Sequence, residues 1–144
     1  MARAACLAIM VAVGMALAIS TGTRVRVWQS ETRLWADAAQ KAPRKPRAFV
    51  NLGNQYAFAG DRVRARAAYE QASVLALDPT RFPDERIYGY GIAQANLSRF
   101  DFEDGHVEAA IARLDAAWDI SKATILQQLL TWYQRHLAVT PSTP

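Results

Sequence analysis

Phe49-Val-Asn-Leu-Gly-Asn-Gln-Tyr56, followed by Gly60-Asp61, then Ala65, Tyr69 and Ala72, and closed by Leu77-Asp78-Pro79, is the stretch that decides the fold of this 144-residue chain. Phe49, Leu52, Tyr56 and Ala59 recur at three- and four-residue steps, and so do Ala65, Ala68, Tyr69 and Ala72. Each half therefore carries one apolar stripe along a helix. Gly60 separates the halves. Gly53, Ala65 and Ala72 are small where two helices would have to approach, which predicts a tight antiparallel hairpin. The rest of the chain is what this hairpin stacks against.

The same residues resemble a tetratricopeptide repeat. Phe49 stands where that family usually has Trp; Leu52-Gly53 matches its Leu-Gly, Tyr56 its Tyr, and Ala65, Tyr69 and Ala72 its Ala, aromatic and Ala. Pro79 comes two residues late, so the second helix should run long. The resemblance implies units of about 34 residues stacked into a right-handed solenoid, with the clear repeat at 46–79. The expected fold class is all-α: an N-terminal transmembrane helix, then about five helices in a short solenoid of helical hairpins spanning 24–139.

Working towards the N-terminus, Pro43 and Pro46 bracket a basic turn, and Pro46 suits the first turn of a helix, where no N–H partner is needed. Before it, in Ser30–Pro43, Trp35, Ala38 and Pro43 keep the family's spacing for the second helix of a repeat. The run from Arg24 to Gly60 resembles the junction in polytopic glycosyltransferase-like (O-mannosyltransferase-like) membrane proteins that carry C-terminal tetratricopeptide repeats. That resemblance brings no activity with it, because the catalytic membrane domain is missing from this sequence.

Between Arg3 and Arg24 lie twenty uncharged residues. As a helix they would reach roughly 30 Å, the thickness of a bilayer's hydrocarbon core. Residues 1–23 are thus expected to be a single-pass membrane anchor that Gly22 ends, with Trp28 at the interface. A cleaved signal peptide with Ala16-Leu-Ala18 as its cleavage site, and a secreted or periplasmic product, stays open as the alternative. Sidedness is also open: Arg24, Arg26 and Arg33 favour a cytoplasmic domain by the positive-inside rule, while a signal-like start favours export.

Towards the C-terminus, a helix from Asp84 to about Ser98 contains Gly89 and Gly91, which only close packing would justify. Ala110, Leu114 and Ala117 restore the second-helix pattern, so 84–119 reads as a degenerate repeat with a long inter-helix loop, Asp104 being the candidate N-cap. Its first helix shows no Leu-Gly signature. Residues 121–137 form a helix with a wide apolar face that caps the solenoid, and 140–144 is a disordered tail.

The net charge of +4 is unevenly spread. Arg24 to Arg66 carries ten basic and three acidic residues; Ala67 to the end carries six basic and ten acidic. A basic segment beside a membrane is attracted by anionic headgroups, and without interleaved aromatics it does not read as a nucleic-acid surface. The single cysteine, Cys6, allows no disulfide framework. His106 and His136 lie on separate helical units without a second metal ligand and read as surface residues. With no phosphate loop, nucleophile elbow or calcium-loop spacing, no metal, cofactor or catalysis is expected.

The expected function is a membrane-anchored adaptor that binds a protein or peptide; the alternative is a fragment of, or accessory to, a membrane glycosyltransferase. By the family's register the first helices of successive repeats line a concave groove, which makes Arg47, Val50, Asn54, Ala57 and Phe58 its candidates, Arg47 favouring an acidic partner. Asn51 and Asn54 occupy places where some relatives hold a peptide's terminal carboxylate. Val50 replaces the lysine of those relatives, so structural roles are preferred for the two asparagines. Cover by the final helix or by a second copy of the chain is the alternative to an open groove.

Overall fold

Two glycines set where the chain reverses. Gly60 and Gly105 adopt φ of 78° and 83°, the left-handed region that L side chains avoid. The turns close alike: Gly60 N–H donates to the Ala57 carbonyl and Asp61 N–H to that of Tyr56, while Gly105 N–H donates to Phe102 and His106 N–H to Asp101. Each turn joins the arms of a helical hairpin, so the chain contains the same device twice. In the first, the Asp61 carboxylate accepts from the Arg64 N–H at 2.9 Å and caps the next helix. That backbone bond, then the Arg64 side chain, hold its pKa below the usual aspartate value.

A computed structural model describes residues 2–28, 30–78, 80 and 83–139, with side chains for 9–22, 25, 30–78, 80 and 84–135. Pro79, the side chains of Trp28 and His136, and the tail 140–144 lie outside the described residues. Among the described residues the chain is all-α, with no strand. The elements are α1 (Ala2–Trp28), α2 (Glu31–Lys41), α3 (Pro46–Phe58), α4 (Arg62–Ala76), α5 (Pro83–Arg86), a π-helical turn (Ile87–Gly91) that runs into α6 (Ile92–Glu103), α7 (Val107–Ser121) and α8 (Thr124–Val139).

Three apolar clusters lie in series, an arrangement of helical-repeat type in which each unit is covered by the next. Ala39, Ala48 and Leu52 join α2 to α3. Val50, Ala65, Tyr69, Ala72, Ala93, Leu97 and Phe100 join the first hairpin to α6. Ala95, Leu114, Ala117, Leu126 and Tyr133 then join α6 to α7 and α8. The small residues act as the sequence requires: a Cβ on Gly53 would lie 2.6 Å from the Tyr69 ring, so α3 and α4 meet across a bare backbone.

The second hairpin differs from expectation. Its first arm does not stop near Ser98 but continues to Glu103, because Phe100 and Asp101 are buried and hold the last turn inward. The expected long loop is three residues, Asp104-Gly105-His106. Asp104 ends α6 instead of capping α7; His106 holds the N-cap position without a side-chain bond, and it is exposed as expected. The π turn was not anticipated. In it Gly89 faces Pro46 and Ala76, and Gly91 faces Ser121 and Ala123, which is the close packing two helical glycines call for.

The uneven charge becomes a set of ion pairs between the halves. Arg62 binds Glu103 at 2.7 Å and Asp104 at 2.8 Å, and Lys45 binds Glu85 at 3.0 Å. Deeper, Asp101 takes both terminal nitrogens of Arg66 at 3.2 Å on one oxygen and Arg113 Nε at 2.7 Å on the other. Arg113 also donates to Gln94, which donates to Ser73. A polar seam thus links α4, α6 and α7 beside the apolar clusters.

The first helix departs from expectation at Gly22, which does not end it: α1 continues to Trp28, since one unpacked helical glycine costs only about 1 kcal/mol. It packs against α2 and leaves Ile9, Met10, Leu17 and Ile19 more than half exposed. Among the described residues no helix is long and apolar enough to cross a membrane.

Tyr69 is fully buried, and burial pushes its pKa up to about 12; burial also raises Tyr90 and Tyr133. A folded-state pKa above the unfolded value of about 10 means that the native state holds the proton more tightly. Stability should be intact below pH 10 and fall from there towards pH 12. Chemical denaturation across that range checks this, and Tyr69→Phe should flatten the fall.

Candidate functional site: the face shared by α3, α6 and α8

The candidate site begins with a buried tyrosine that needs a partner. Tyr69 cannot leave its hydroxyl unpaired without a penalty, and Asn54, on the exposed side of α3, accepts from it at 2.8 Å. That bond orients the Asn54 amide, leaving its NH2 to point outward as a donor. Around it lie Ala57, Phe58, Asn96 and Arg99, lining a recess of about 330 Å³. Asn96 donates its own amide to the Ile92 carbonyl at 3.0 Å, so its side-chain oxygen is the group available as acceptor. Phe58 is 94% exposed.

Only part of the expected groove gathers here. Asn54, Ala57 and Phe58 line this recess, with Ala57 half-buried against the first-hairpin core. Val50 is fully buried in that core and cannot touch a partner, which removes it from the groove. It packs in one cluster with Leu97 and Phe100 of α6, off the stripe of Phe49, Leu52 and Tyr56. Asn51 is half-buried and accepts from the Tyr88 hydroxyl at 3.1 Å, tying α3 to the π turn. Arg47 lies over the Tyr88 ring at 4.9 Å and belongs to a different recess, with Lys45, Asp84 and Glu85.

Asn96 and Arg99 were not foreseen, although a signal for them exists. Counting back from Gly105 as from Gly60 puts Leu97-Ser98 where the first hairpin has Leu52-Gly53, Asn96 where it has Asn51, and Arg99 where it has Asn54. Leu97 and Ser98 are indeed buried. The missing glycine hid this equivalence.

Arg99 also borders a second, more apolar recess of about 550 Å³, formed with Phe102, Glu103, Ile125, Gln128, Leu129, Trp132 and Tyr133. Phe102 stacks on Tyr133 at 4.5 Å between ring centres and meets Trp132 at 5.1 Å. The two recesses flank α6, one towards α3 and one towards α8. Together they offer amide and guanidinium groups on one side and an aromatic wall on the other. Among the described residues no group of His, Cys, Asp or Glu is placed to hold a metal ion. Compared with known proteins, the chain matches no family model, no curated protein and no solved structure.

Proposed function

We propose that this protein is a tetratricopeptide-type binding module, tethered to a membrane by α1, that holds a protein partner as an extended segment across the face of α3, α6 and α8. The observation that carries this reading is Phe58, 94% exposed beside a recess whose Asn54, Asn96 and Arg99 offer donors and an acceptor to a peptide backbone. An exposed aromatic next to such groups is the kind of residue that dominates an interface. The tether is supported by the uncharged sequence from Ala4 to Thr23 and by the outward apolar side chains of α1.

Selection from a displayed random-peptide library tests the binding. Enrichment on the wild type that is lost with Phe58→Ala, at unchanged helicity and melting temperature, is the expected result. The exposed ring contributes little to folding, so a clear fall in melting temperature would instead place Phe58 in the core and remove the site. For the tether, the protein should resist carbonate extraction and retain its N-terminal mass; a soluble product beginning at Ile19 would overturn it.

A further inference from the structure

Phe58, the last residue of α3, and Val63, the second of α4, are the two most exposed large apolar side chains among the described residues, at 94% and 82%. They flank the Gly60 turn. We propose that this turn dips into the lipid bilayer that α1 enters, giving the domain a second membrane contact that fixes how it stands on the surface.

The placement follows from helix direction. α2 and α3 are joined by only four residues and share a cluster that reaches Trp35 on one and Tyr56 on the other, so they run antiparallel. At 1.5 Å per residue they are about 16 and 20 Å long, which brings Ser30, ahead of α2, to nearly the level of Phe58. Gly53 against Tyr69 makes α3 and α4 antiparallel in turn, and Arg62 ties the Gly105 turn to the same end through Glu103 and Asp104. α1 ends at Trp28, two residues before Ser30, and therefore leaves the domain from this end. Its side chains from Ile9 to Gly22 are all exposed, so that stretch stands clear of the other helices instead of folding back over them. The most exposed apolar side chains and the uncharged helix thus share one end of the molecule.

The chemistry of the turn suits lipid. Phe58, Ala59 and Gly60 carry no charge and are exposed. The charges that follow are already paired, Asp61 with Arg64 and Arg62 with Glu103 and Asp104, so none has to shed its water alone at the interface. Neither cation is left over, and the contact therefore needs no anionic headgroup. Apolar side chains gain by leaving water at the headgroup boundary, and a turn held beside an inserted helix meets the bilayer at high effective concentration. This contact rests on the α1 tether proposed above. It also conditions peptide capture, since Phe58 cannot lie in lipid and hold a peptide at once.

The test uses the full-length chain with Cys6→Ser in phosphatidylcholine nanodiscs. Ala59→Cys carries a fluorophore on the turn with Phe58 and Val63 intact; Val74→Cys carries one near the far end of α4, at a valine that is 68% exposed. Brominated lipid should quench the label at 59 and spare the one at 74, and aqueous iodide should do the reverse, with several-fold differences each way. Phe58→Asp together with Val63→Asp should abolish the lipid quenching at unchanged helicity, with the protein still eluting with the discs. Labels at 59 and 74 that respond alike, on protein that elutes with the discs, would overturn the proposal and leave the tether standing; so would lipid quenching that survives the double substitution. Protein that does not elute with the discs would overturn tether and turn contact together. Peptide capture is read without lipid and fails separately.

Discussion

Gly89→Val should cost about 3 kcal/mol or more and lower the melting temperature by roughly 10 °C. A Cβ at position 89 would lie 2.5 Å from Pro46 Cβ and 2.9 Å from Ala76 Cβ. Neither neighbour can swing away, since both atoms are attached directly to backbone in the first turn of α3 and the last turn of α4. Helix propensity alone predicts that Gly89→Ala would gain about 1 kcal/mol. Packing should reverse that sign, and thermal melts of the two variants decide between the effects: a stabilised Gly89→Ala would mean that the junction of α3, α4 and the π turn can open without penalty.

Asp101→Ala should be nearly as damaging, at about 3 kcal/mol. The Asp101 side chain is 10% exposed and serves Arg66 and Arg113 together. Removing it leaves the partly buried Arg113 guanidinium without its carboxylate and Arg66 with only the longer, exposed contact to Asp104 at 3.7 Å, and breaking a buried pair from one side is the expensive case, at about 3 kcal/mol. Glu103→Ala is the matched control. Its ion pair with Arg62 is short but exposed, so a loss within about 1 kcal/mol is expected. Urea denaturation of both variants measures the difference, and equal losses would show that the polar seam adds nothing beyond surface charge.

The first hairpin was legible because its signal is local. Leu52, Gly53, Tyr56 and Tyr69 each act at the position the spacing implies, with Gly53 against the Tyr69 ring. The second was blurred because tertiary packing had replaced the usual residues: Ser98 stands in for the glycine, and Asp101, held by arginines from two other helices, stands where the first hairpin has Tyr56. No periodicity of α6 alone announces a carboxylate whose partners are on α4 and α7. The basic front was read as a membrane signal, yet Lys45, Arg62 and Arg66 find acids later in the chain. As for the site, Asn54, Ala57 and Phe58 follow from the helix register, while Val50 fails because a helical stripe fixes burial only once its neighbour is known.

The π turn also bears on how the chain comes apart. In a simple stack each unit touches only its neighbours, and such arrays can fray from one end. Here Gly89 abuts Pro46 and Ala76 from the first hairpin, and two residues later Gly91 abuts Ser121 at the end of the second and Ala123 just past it. One short turn therefore bonds the fate of both hairpins. Unfolding from α2 to α8 should be a single cooperative step: hydrogen exchange would find amides in α3 and α7 opening with the same free energy, where a plain solenoid would show a gradient from its ends to its middle.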